Sequence, residues 1–137
     1  MKKFSQNEID KFIKLLDFSK VEGTVVPVIA QDYKTNEVLM LAFANEDAVR
    51  QSLETGIACY YSRSRKKLWK KGEESGHIQE IQNIYIDCYN DTILLKVKQK
   101  VAACHTGFYS CFHREFVNGE LITQGKPVFN PDEVYKK

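Results

Sequence analysis

Long apolar runs are missing from this sequence. No window approaches the roughly 18 consecutive apolar residues that a bilayer span requires. The N-terminus, Met1-Lys-Lys-Phe-Ser-Gln-Asn-Glu-Ile-Asp10, turns acidic and amphipathic where a signal peptide needs an uninterrupted apolar stretch. The sequence therefore reads as that of a cytoplasmic protein with no membrane partner. Cysteine is sparse: Cys59, Cys88, Cys104 and Cys111 are too few for a secreted disulfide scaffold. In a reducing compartment such thiols are buried, catalytic or metal-binding. Charge of one sign is missing as well, since 20 basic against 18 acidic residues leave +2. That surplus is too small to argue for a nucleic acid polymer or an anionic surface. Repeats, linkers and low-complexity tracts do not occur.

What is present is an ordinary globular composition, 43% apolar over 137 residues, enough for one domain with its own core. Ser5-x-x-Glu8 has capping-box spacing, and Ile9, Phe12, Ile13 and Leu16 follow at helical intervals. This predicts a helix from about Gln6 to Leu16. Two apolar stretches, Val25–Ala30 and Val38–Phe43, flank a polar turn, and Pro27 predicts that the first strand lies at an edge or begins late. Asn45 is placed to cap a second helix ending at Gly56. Beyond it the pattern is β: Ile57–Ser62, then Ile84–Cys88 facing Thr92–Val97, then Phe108–Phe116 and Glu120–Gln124 as a hairpin around Asn118-Gly119. The expected fold is α+β, a mainly antiparallel β-sheet with two helices in a single domain covering residues 1–137.

Cys88 lies just before a hairpin turn, and Cys104 and Cys111 are seven residues apart. Three thiolates on zinc leave a fourth tetrahedral position for water, the arrangement of a catalytic site. Without a C-x-x-C clamp, the spacing leaves inert buried thiols and a shared metal both open. Cys59, between Ala58 and Tyr60, reads as packing. His105 follows Cys104 directly, so it either moves protons at a bound metal or hydrogen-bonds a turn. His77, in Ser75-Gly76-His77, has small neighbours that let a ligand approach, or it is a solvated loop histidine. His113 has the weakest claim: His113-Arg-Glu115 matches half of the zinc deaminase signature, and the Pro-Cys-x-x-Cys half is missing. Asp87 and Asp91 bracket the turn after Cys88, where they either hold magnesium with waters or simply form the turn. From Arg63 to Lys71, six cations surround Trp69, with Tyr60 and Tyr61 just before. Such a run grips phosphate and stacks a base, or it forms a solvated charged hairpin.

Taken together, Tyr61-Ser-Arg-Ser-Arg65, Leu68-Trp69, Lys71-Gly72-Glu73, Ser75-Gly76-His77, Asp87-Cys88, Cys104-His-Thr-Gly107 and Ser110-Cys-Phe112 resemble the phosphoribosyl-AMP cyclohydrolase family of histidine biosynthesis. Val26-Pro-Val28 and Leu39-Met-x-Ala42 fit too, so the resemblance runs in order from about Val25 to Phe116. It implies a hydrolase that opens the adenine ring of phosphoribosyl-AMP by water attack at ring carbon six. The product would be the phosphoribosyl-formimino-aminoimidazole-carboxamide ribotide. It also implies an intertwined homodimer with shared active sites, requiring zinc and magnesium. Carried over by motif, the zinc ligands are Cys104, Cys111 and Cys88 of the partner subunit. Magnesium is expected at Asp87 and Asp91, but Tyr89 stands where the family has the middle carboxylate of Asp-Cys-Asp-x-Asp. A phenol is a poor magnesium ligand.

Combining that resemblance with the chemistry of the residues, His105 is expected to act as the base and His77 to polarise or protonate the ring. Arg63, Arg65 and Lys71 are expected to hold phosphates, and Trp69 to contact the substrate. The competing expectation is a non-catalytic zinc-dependent nucleotide-binding relative. Some relatives continue into a pyrophosphohydrolase domain; here that step is expected to belong to a separate protein.

Overall fold

The computed structural model describes residues 3–135. Helix α1 (Gln6–Leu15) starts where its cap is written. The Ser5 hydroxyl accepts the Glu8 N–H at 3.2 Å, and the Glu8 carboxylate accepts the Ser5 N–H at 2.9 Å, so two otherwise orphaned donors are satisfied reciprocally. Strands β1 (Val26–Asp32) and β2 (Val38–Ala44) follow. Helix α2 (Glu46–Thr55) begins at Asn45, whose side chain accepts the Ala48 N–H at 2.9 Å, and ends at Gly56 in the left-handed region. Then come β3 (Cys59–Ser62), β4 (Lys67–Lys70), β5 (Gln79–Ile86), β6 (Ile93–Gln99), β7 (Arg114–Val117) and β8 (Glu120–Thr123). A third helix, α3 (Pro131–Val134), corrects the two-helix expectation. It carries a start signal, Asn130 as cap with Pro131 next, but one turn offers no apolar repeat to reveal it.

The main sheet has the order β2-β1-β6-β5, and β3-β4 and β7-β8 form separate ribbons. All pairings are antiparallel except β1–β6, which is parallel. The α+β, mainly antiparallel reading therefore stands, with one correction inside it. Strand β1 is central, not an edge. Pro27 is tolerated there because pairing with β6 begins at Val28↔Ile93, so that partner asks no N–H of it. A second difference lies in Phe108–Phe116, which forms a strand only from Arg114. Before that point the Ser110 hydroxyl donates to the Val38 carbonyl at 2.7 Å and the Cys111 N–H donates to Leu39 at 2.7 Å. These bonds hold the segment across β2 as a loop.

One face of the sheet presents Val26, Val28, Ala30, Ile93, Leu95 and Val97 to the helices, where Ile9, Ile13, Val49 and Leu53 complete the core. On the other face, pairing puts Leu41, Ile29, Leu94 and Tyr85 in one row across all four strands. Leu41 is 48% and Tyr85 46% exposed, with Ile29 and Leu94 half-buried between them, so the row is open to solvent at both ends. No described helix is long and apolar enough to cross a membrane.

Candidate active site

The loop between β6 and β7 carries Cys104, His105 and Cys111. It is closed on itself by the Ala103 N–H to Tyr109 carbonyl bond at 3.0 Å and the Cys104 N–H to Phe108 bond at 3.2 Å. A tight turn is required at its tip, and Gly107 supplies it at φ +104. A Cβ there would lie 2.6 Å from the Phe129 carbonyl, because the C-terminal segment crosses the loop and Val128 N–H donates to the Gly107 carbonyl at 2.7 Å. The loop is also pinned to the turn after β1, where the Tyr109 hydroxyl donates to Asp32 Oδ1 at 2.6 Å.

That folding brings Cys104 and Cys111 close enough for the Cys104 thiol to act on that of Cys111. Cys104 is buried, with Sγ 2.8 Å from Thr106 Oγ1. Cys111, exposed as a residue, has its thiol pushed up to about 11 by desolvation first and then by Cys104. A soft cation between the two sulfurs would invert that preference, since thiolates are stabilised by the metal they bind. Cys88 does not join them: it sits exposed at the turn between β5 and β6. Among the described residues of one chain, no group of three or more His, Cys, Asp or Glu could hold a metal ion.

Cys111 and His105 open onto a cleft of about 500 Å³ that Arg65, Trp69 and Lys71 also line. Three of the expected substrate contacts thus share one cleft with Cys111 and His105. Arg63 does not. It lines a neighbouring cleft with Tyr61 and Lys66, its guanidinium carbon 4.0 Å from the Phe43 ring centre. His77 lies outside the cleft lining, 8% exposed, with its ring edge-on to Phe129 at 4.6 Å. Burial, then Lys71 and Lys100, lowers its pKa, so it is neutral at pH 7. Its Nδ1 is the one buried side-chain polar atom among the described residues with no hydrogen-bond partner. The His77 backbone passes close to Gly72, where a Cβ would approach Ile78 N to 2.6 Å.

Asp87 and Asp91 build the turn they bracket. Asp87 Oδ1 accepts the N–H groups of Asp91 at 3.0 Å and Thr92 at 3.3 Å, and Asp91 pairs with Lys20 at 3.1 Å. Tyr89 is 73% exposed at its tip. His113 stacks on Phe108, and Cys59 is buried in the core as expected. Sequence reasoning missed Tyr135, which reaches the cleft, and Phe129. Neither stands in a motif, and only the return of the chain end over the loop brings them here.

The sequence profile of the phosphoribosyl-AMP cyclohydrolase family matches residues 40–113, more than half of the chain. The chain belongs to that family. A phosphoribosyl-AMP cyclohydrolase of Methanothrix thermoacetophila is 57% identical over 116 residues, covering 85% of this chain and 93% of the relative. One from Desulforapulum autotrophicum is 55% identical over 123 residues, covering 88% and 98%. The histidine biosynthesis bifunctional protein HisIE of Thermoanaerobacter pseudethanolicus is 52% identical over 128 residues, covering 93% of this chain and 58% of the relative. The protein is thus a cyclohydrolase of histidine biosynthesis, and the enzyme reading stands over the binding-only one.

The Tyr109–Asp32 clasp bears on how firmly this cyclohydrolase holds its cysteine loop. Desolvation raises the Asp32 pKa, but the donors from Tyr109, Thr35 and Lys34 outweigh it and hold the carboxyl below its usual value. A depressed folded pKa contributes stability above the unfolded value of about 3.9, lost as pH falls through the folded one. Tyr109→Phe should therefore cost about 1–2 kcal/mol at neutral pH, with the deficit shrinking below about pH 4. Urea unfolding of both proteins across pH 3–7 is the check.

Proposed function

We propose that this cyclohydrolase is a zinc-dependent homodimer that opens the adenine ring of phosphoribosyl-AMP at carbon six, with each site shared between two chains. The observation carrying this reading is the pair of thiols beside His105 at a cleft lined by Arg65 and Trp69. Two soft donors in one chain fit zinc but leave its shell incomplete, and the exposed Cys88 of the partner subunit is the proposed third ligand. The row of Leu41, Ile29, Leu94 and Tyr85, open to solvent at both ends, supports a second copy as the partner. When bound, zinc supplies Lewis-acid activation of water.

The protein's own residues do the rest. His105, exposed at the cleft beside Cys104, takes the proton from the attacking water. Trp69 stacks the purine, and Arg65 binds phosphate at the exposed side of the cleft. Arg63 reaches a phosphate only from the adjoining cleft. His77, neutral and with an unpartnered Nδ1, hydrogen-bonds the ring nitrogen whose bond to carbon six breaks. That role requires Phe129 to give way. Mixing purified protein with phosphoribosyl-AMP and following the ultraviolet spectrum tests the reading; an unchanged spectrum with zinc and magnesium present removes it.

Magnesium is proposed at the Asp87–Asp91 turn, with water completing the shell where Tyr89 replaces a carboxylate. Tyr89→Asp should lower the magnesium concentration for half-maximal ring opening by roughly three- to tenfold, since it restores a charged oxygen ligand. Asp87→Asn should raise it, because the amide oxygen keeps the turn bonds but loses the charge. Zinc content should stay constant in both. Superimposable magnesium titrations of the three proteins would leave these carboxylates as turn formers only.

A further inference from the structure

Lys71 differs from every other cation in the basic run. Arg63, Arg65, Lys66, Lys67 and Lys70 are exposed, whereas Lys71 is 7% exposed. Its backbone N–H is tied to the Ala58 carbonyl at 3.1 Å, and its ammonium donates to the Ala103 carbonyl at 2.6 Å, one residue before Cys104. No carboxylate among the described residues pairs with it: the two ion pairs are Lys20–Asp91 and Arg50–Asp10. A buried ammonium facing a single neutral carbonyl is poorly compensated, because one carbonyl does not replace the lost hydration. The groups that act electrostatically on it are two thiols, Cys111, which shares the cleft wall with it, and Cys104 next to Ala103. Glu73 and Glu74 line the same cleft without pairing with it.

Resting on the zinc reading above, we propose that Lys71 is the counter-charge of the thiolate metal centre rather than a phosphate ligand. A divalent ion on three thiolates carries a net charge of −1. The ammonium makes the cluster neutral, so it can sit in a partly dry site without an uncompensated charge. Lys71 acts here through the cysteines, as a positioning residue outside the metal's own ligand set. Phosphate binding falls to the exposed cations at the same cleft, Arg65 first.

The test compares the parent with Lys71→Met, Lys71→Gln and Arg65→Met. Zinc affinity is read by competition with a chromophoric chelator, and AMP affinity by calorimetry at saturating zinc. Both Lys71 variants should bind zinc about tenfold or more weakly, with AMP affinity little changed; Arg65→Met should do the reverse. Glutamine keeps a donor for the Ala103 carbonyl, so loss in both variants assigns the effect to charge. Without metal, both Lys71 variants should melt at or above the parent temperature, because a buried charge has been removed. A Lys71→Gln protein with parental zinc affinity overturns the inference, as does a lowered melting point in both variants, which would make Lys71 structural. Weakened AMP binding at unchanged zinc affinity would return it to the phosphate. A parent that binds no zinc would instead remove the metal reading itself, and this inference with it.

Discussion

Cys104→Ser is expected to lose bound zinc and to cut ring opening by about a thousandfold, while Cys59→Ser keeps both. The two cysteines are buried to similar degrees, 7% and 2% exposed, so burial does not separate them. Their company does. Cys104 has a second thiol beside it, a histidine next in sequence and an open cleft alongside. Cys59 meets Gln51 and the core, with its pKa raised by burial first, the condition of an inert thiol. A hydroxyl in place of a thiolate is a much poorer zinc ligand. Losing Lewis-acid activation worth about 4 kcal/mol corresponds to about a thousandfold in rate. Cys111→Ser and Cys88→Ser should match Cys104→Ser. Elemental analysis of each protein, beside the spectrophotometric assay, is the measurement. Full zinc in Cys104→Ser would exclude the paired thiols as the site.

Mixing the inactive Cys88→Ser and Cys104→Ser proteins should restore roughly a quarter of parental activity. Under random exchange about half the dimers pair one variant with the other, and in each of these one of the two sites draws Cys88 and Cys104 from intact chains. The prediction follows from the separation of Cys88 from the other two thiols: one chain brings only Cys104 and Cys111 together. In the proposed dimer, the apolar row exposed at Leu41 and Tyr85 is the surface on which the second copy would dock. The mixture should be made by unfolding and refolding the two proteins together, with each refolded alone as control. No recovery, together with a monomer in sedimentation at micromolar concentration, would show that each chain works with the ligands it already holds.

Much of the local structure was legible in the residues. Ser5 with Glu8, and Asn45 with Gly56, mark their helices because a cap is a bond between residues three or four apart. The alternation Ile93, Leu95, Val97 marks the buried face of β6 for the same short-range reason. The motifs around Cys104 and Arg65 placed the chain in its family without any geometry.

What the tertiary structure decided depends on partners far apart in sequence. The parallel pairing of β1 with β6 joins segments some 65 residues apart, and no local pattern at Pro27 announces a central strand. Arg63 and Arg65, two residues apart, face different clefts because they stand on the turn between β3 and β4. His77 is buried because Phe129 returns from the far end of the chain. Lys71 reads in sequence as one more cation of a solvated run. Only the loop from Ala103 to Cys111 gives that ammonium a carbonyl to bond and brings two thiols within electrostatic reach of it, since burial is set by what packs against a residue and not by its neighbours along the chain.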